Sequence, residues 1–99
     1  MLSKATIKTE KAGRYLQQLC KHFGHKVDVE FDDHTGWVKL PMGRADLAAD
    51  DTTLTMSVNA DDPDDLAKAQ DVMQSHLERF AFREDLEIRW DAASQPLSA

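Results

Sequence analysis

Ninety-nine residues, 41% hydrophobic and 30% charged, suffice for one packed core and lack the composition of a disordered chain. A formal net charge of −6 speaks against duplex nucleic acid and anionic membranes, which call for a concentrated basic surface. One cysteine, Cys20, leaves no disulfide within the chain, no uncharged run reaches a membrane span, and no apolar leader follows Met1, so we expect a cytoplasmic protein.

Taken in chain order, Ala5 and Ile7 alternate with Thr6 and Lys8, which predicts a short strand. Thr9 is the expected N-cap of a helix whose apolar stripe is Ala12, Tyr15, Leu16, Leu19, Cys20 and Phe23. Gly24 should end that helix in a left-handed conformation. Four strands follow. Val27, Val29 and Phe31 lead to a turn over Asp32 to Gly36, and Val38 and Leu40 to a break at Pro41-Met42-Gly43. Ala45, Leu47 and Ala49 then precede a turn at Asp50-Asp51, and Leu54, Met56 and Val58 complete the meander. Such period-two alternation means one buried and one wet face. The wet face should carry Asp28, Glu30, Trp37, Lys39, Arg44, Asp46, Thr53, Thr55, Ser57 and Asn59.

Asp62 and Pro63 mark the cap and first turn of a second helix, and Asp64 and Asp65 complement its positive end. Its stripe is Leu66, Ala69, Val72, Met73, Leu77 and Phe80, ending near Ala81 to Arg83. Leu86, Ile88 and Trp90 alternate as a last strand. The order β-α-β-β-β-β-α-β predicts an α+β two-layer sandwich, a mostly antiparallel sheet with both helices on one face. We expect one domain over residues 1–91 and a flexible tail over 92–99.

The helix segments from Arg14 to His22 and from His76 to Glu84, with the break Leu40-Pro41-Met42-Gly43, resemble a family of small bacterial proteins known as domain of unknown function number 2218. The resemblance spans about Ala5 to Trp90 and implies a stand-alone bacterial domain of this length. It brings no activity or catalytic residue to carry over. Some members lie near genes of siderophore-linked iron uptake, an association that implies no mechanism.

Chemistry-bearing residues gather on the flanks of the two helices. His22 lies seven residues after Tyr15, and His76 lies between Met73 and Phe80. Side-by-side helices would bring these histidines together, with Arg14, Tyr15, Arg79 and Arg83 around an anion. The plainer alternative is that Arg79 pairs with Glu78 or Asp85, while Arg83 and Glu84 finish the helix end. Metal ligation would use His22, His25 and His76, but no Cys-x-x-Cys, His-x-x-x-His or Glu-x-x-His spacing is present. Cys20 belongs to the apolar stripe and reads as a small core residue, and the acids from Asp61 to Asp65 read as helix capping. No Gly-x-Ser-x-Gly, positioned base or glycine-rich phosphate loop points to catalysis, and no cofactor is expected.

The reading that follows is a non-enzymatic accessory domain, linked to iron–siderophore handling through the resemblance. It would bind a small anionic ligand or a protein partner through Arg14, Tyr15, His22, His76, Arg79 and Arg83. The second option is a self-association module, a homodimer through the open sheet face around Trp37 or through an edge strand. The separation of His22 and His76 decides whether the helix-flank site can exist: beyond about 8 Å they could not share a ligand.

Overall fold

The computed structural model describes residues 1–91. The expected tail, 92–99, lies outside the described residues. Seven elements follow one another: β1 (Leu2–Lys8), α1 (Ala12–Phe23), β2 (Val29–Phe31), β3 (Thr35–Leu40), β4 (Gly43–Ala49), β5 (Thr53–Asn59) and α2 (Pro63–Phe80). The strands form one antiparallel sheet in the order β1-β5-β4-β3-β2. The meander β2 to β5 is closed by β1, whose Ala5 faces Met56 and whose Ile7 faces Leu54. Both helices cover one face, as the period-two pattern requires.

The core lies between the layers. Ile7, Val38, Leu54, Met56 and Val58 rise from the sheet to meet Leu16, Leu19 and Cys20 of α1 and Met73 and Leu77 of α2, all fully buried. Each such aliphatic side chain contributes about 1.5–3 kcal/mol by leaving water. The α1 layer sits close on the sheet: a Cβ at Gly36 would lie 2.9 Å from both Cys20 Sγ and Phe31 Cβ. Gly36 is therefore a residue of β3, fixed by packing, rather than part of the turn. That turn is made by Asp32, whose Oδ1 accepts the N–H groups of His34 at 2.7 Å and Thr35 at 2.8 Å. These two bonds hold the Asp32 carboxyl below its usual range.

Three further local expectations are corrected. Thr9 does not cap α1; Lys11 occupies that position, and Thr9 Oγ1 accepts the Lys11 N–H at 3.1 Å from outside the helix. Gly24 is right-handed, with φ −61° and ψ −14°, and its N–H donates to Cys20 O at 2.9 Å. There the helix simply unwinds into a short turn, so no positive φ is needed. The last strand shrinks to one bridge, Ala5 to Trp90. Its alternation is real, since Leu86, Ile88 and Trp90 are all half-buried against the core. Polar ties replace a ladder: Asp91 N–H donates to Lys4 O, the Asp91 carboxylate accepts the Lys4 N–H, and Ser3 Oγ donates to Asp91 O. Trp90 Nε1 donates to Gln74 Oε1 of α2 at 3.0 Å. The segment thus straps the β1 edge to α2.

At α2 the structure follows the expected cap. Asp62 Oδ1 accepts the Asp65 N–H at 2.8 Å, and Pro63 opens α2. Among the described residues no helix is long and apolar enough to cross a membrane.

Candidate functional site

The two helices are neighbours and run antiparallel where they meet, because the start of α1 meets the chain beyond α2 while the end of α1 meets the last turns of α2, at His76 and Phe80. Two clusters of side chains result, one at each end of the seam. The residues expected to form one site are divided between them.

At the α1 C-terminus, the His22 and His76 ring centroids are 4.9 Å apart. Phe23 and Phe80 complete an aromatic cluster, with Phe23 at 4.8 Å from His76 and Phe80 at 5.7 Å from His22. The helical period builds it: His22 and Phe23 follow the buried Leu19 by one turn, and His76 and Phe80 are four residues apart on α2. His76 Nδ1 lies 2.7 Å from Val72 O. A carbonyl only accepts, so Nδ1 carries the proton and Nε2 is the free position of that ring. His22 is solvent-exposed.

The imidazole of His22 is held below its ordinary pKa, first by desolvation and then by the positive charge of His76, His25, Arg79 and Lys26. Arg79 and Lys26 bring positive charge to this corner of a chain of net charge −6. Among the described residues none of them forms an ion pair; the two salt bridges are Arg44–Asp46 and Arg89–Glu87. Arg79 therefore does not pair with Glu78 or Asp85. An un-neutralised cationic corner with aromatic walls favours an anion and opposes a divalent cation, which would add to the repulsion. Among the described residues no group of three or more His, Cys, Asp or Glu side chains is placed to hold a metal, so His22, His25 and His76 do not form a three-ligand centre.

At the other end, Tyr15 is engaged elsewhere. Its hydroxyl donates to Glu84, which also accepts from Thr9 Oγ1 at 3.1 Å. Burial, the hydrogen bond to Glu84 and that carboxylate's charge push the Tyr15 hydroxyl up to about 12, with Arg14 opposing. Glu84 is thus a pin between the chain beyond α2 and the start of α1, not a helix-end cap. Sequence patterning missed it, because Glu84 lies 69 residues from Tyr15 and no local period links them. Arg83 lies over the exposed Phe82 ring at 5.4 Å, and Arg14 is exposed beside Tyr15. Of the six expected residues, the structure brings His22, His76 and Arg79 together. It places Tyr15, Arg14 and Arg83 around the Glu84 end. Phe80, which the sequence groups with Arg79, belongs to the histidine cluster, as do Phe23 and Lys26, which sequence reasoning did not place in a site; Phe23 adjoins His22, and Lys26 and Phe80 each lie four residues after a histidine.

Cys20 is fully buried, and burial pushes its thiol up to about 11. It is a core residue, inert at neutral pH.

A small α+β sandwich with a cationic, aromatic seam between its helices describes the class of molecule. More particularly, the chain belongs to the family described as an uncharacterized protein conserved in bacteria, domain of unknown function 2218, whose profile matches residues 4–91. It is also similar to the NMR structure of PA4090 from Pseudomonas aeruginosa, at 38% identity, with 95% of this chain and 98% of that one covered and a TM-score of 0.81. No curated protein matches.

Proposed function

We propose that this domain is a non-enzymatic binder of a small anion, taken up at the α1–α2 seam by His22, His76 and Arg79. The observation that carries the reading is the 4.9 Å approach of the His22 and His76 rings between Phe23 and Phe80, with Arg79 and Lys26 adding positive charge felt at His22 and no ion pair to any of these residues among the described ones. In this reading Arg79 and Lys26 neutralise the ligand. The His22 ring, protonated as the anion arrives, donates a hydrogen bond to it, and Phe23, Phe80 and the His76 ring cover its apolar part. A carboxylate or phenolate ligand with a flat apolar body suits these walls. An iron–siderophore complex bearing such groups has that chemistry, which accommodates an accessory role in iron handling. Arg14 and Arg83 would act only on a ligand long enough to reach along the seam, and Tyr15 would stay with Glu84.

Amide and side-chain NMR signals followed during titration with phosphate, citrate and salicylate test the reading. Shifts should centre on His22, His76, Phe80 and Arg79, with salicylate exceeding phosphate. Shifts scattered over the surface and sparing these residues would refute it. A parallel titration with zinc alone should leave the histidine signals largely unmoved; strong, saturable zinc shifts there would instead make the cluster a metal site.

A further inference from the structure

The sheet face turned away from the helices has a charge pattern that the helix seam does not explain. Cross-strand register places Lys4, Ser57, Asp46, Trp37 and Glu30 in one row across all five strands, from β1 to β2. The row begins with a cation and ends with an anion. Lys8 adds positive charge on β1, and Asp28 adds negative charge beside β3. On the middle strand β4, Arg44 and Asp46 neutralise each other at 3.0 Å, and the Arg44 guanidinium stacks on Trp37 at 5.0 Å. Among the described residues neither Lys4 nor Glu30 has an ion-pair partner in its own chain. Beside Trp37 lies a recess of about 500 Å³ lined by Glu30, Asp32, Gly36 and Asp46 among others.

We propose that this face is the contact between two copies of the chain, related by a two-fold axis that runs along β4. Such an axis turns the basic β1 edge of each copy over the acidic β2 edge of the other, where Asp28 and Glu30 outweigh the lone cation Lys39 of β3. Lys4 then meets Glu30 of the second copy and Ser57 meets its Trp37, and both contacts occur twice, as an isologous interface requires. The axis passes the self-neutralised Arg44–Asp46 pair, so no net like charge meets there. An edge-to-edge pairing is the poorer solution: the β1 edge is already strapped by Trp90 and Asp91, and β2 offers only three residues. The face also has the needed extent. Five strands about 4.8 Å apart and about six residues long give roughly 500 Å² in projection. Side-chain relief brings that near the lower end of the roughly 600–1,000 Å² per partner of specific complexes. With one aromatic and mostly polar side chains, the dimer should be weak and salt-sensitive.

Sedimentation of the full chain from micromolar to about millimolar concentration, at low and high salt, tests this directly. We expect dimer at low salt, weakened by high salt, with the Trp37 indole N–H signal shifting with concentration. Lys4→Glu or Glu30→Lys should each weaken dimerisation by roughly fivefold or more, and the double variant should restore it to within roughly twofold of the parent. Circular dichroism guards against a folding defect at these two exposed positions. A monomer at every concentration, or a double variant no better than either single one, overturns the proposal and leaves the face to a different partner.

Discussion

Replacing Tyr15 by Phe isolates the pin that joins the chain beyond α2 to the start of α1. The ring is 4% exposed, so its packing survives the change, and only the hydroxyl bonded to Glu84 is lost. The Glu84 carboxylate then keeps the Thr9 hydroxyl alone. Losing a buried hydrogen bond to a charged acceptor costs about 2 kcal/mol, which lowers the melting temperature of a domain this size by about 8–16 °C. The pH dependence carries a second, independent signature. The hydroxyl titrates at about 12 in the folded chain against 10 when unfolded, so the folded state holds its proton longer. Stability from this group is complete below pH 10 and falls as pH rises toward 12, by up to about 3 kcal/mol for two units. The stability gap between the parent and Tyr15→Phe should therefore be full at pH 7–9 and close above it. Because Tyr15 is the only tyrosine, its tyrosinate absorbance reports the midpoint without overlap. Equal stability at pH 7, or a spectroscopic midpoint near 10, would refute the reasoning.

Other consequences are read more simply. Gly43→Ala should destabilise the fold by about 1–3 kcal/mol in denaturant titration, because its Cβ would press on the backbone carbonyl of Asn59 at the β4–β5 pairing; an unchanged midpoint would show that the strands can part there. Cys20, with its thiol near 11 and no exposed surface, should react with a thiol reagent at neutral pH only as the protein unfolds; fast stoichiometric labelling of native protein would contradict its placement. Arg79→Ala and His22→Ala should each weaken salicylate binding by roughly five- to tenfold while leaving the melting temperature within a few degrees, as both are exposed.

The fold was legible because its signals are periodic. Alternation from Val29 to Val58 set the wet and greasy faces correctly, and Asp62-Pro63 announced α2 through a cap that uses only neighbouring atoms. Failures came where tertiary contact overrides local preference. Thr9 looks like a cap but serves Glu84, and Gly24 looks like a left-handed stop but needs none. Leu86, Ile88 and Trp90 alternate correctly, yet they strap an edge by single bonds instead of pairing along it. The site was half legible. Helical spacing put His22 and His76 on facing flanks, and the structure sets them 4.9 Å apart. Spacing alone could not divide the arginines between the two ends of an antiparallel seam, because that depends on helix direction and on the Glu84 pin.

The measurement that bears most directly on the anion-binding reading is the pKa of the His22 ring, followed by NMR with and without saturating salicylate. In the free protein it should lie below its usual 6.5, depressed by desolvation and by the cations around it. A bound anion removes that repulsion, so the pKa should rise, and by linkage salicylate should bind more tightly as pH falls through that range. A His22 pKa that is unchanged by the anion, with affinity flat across the same pH range, would contradict the account.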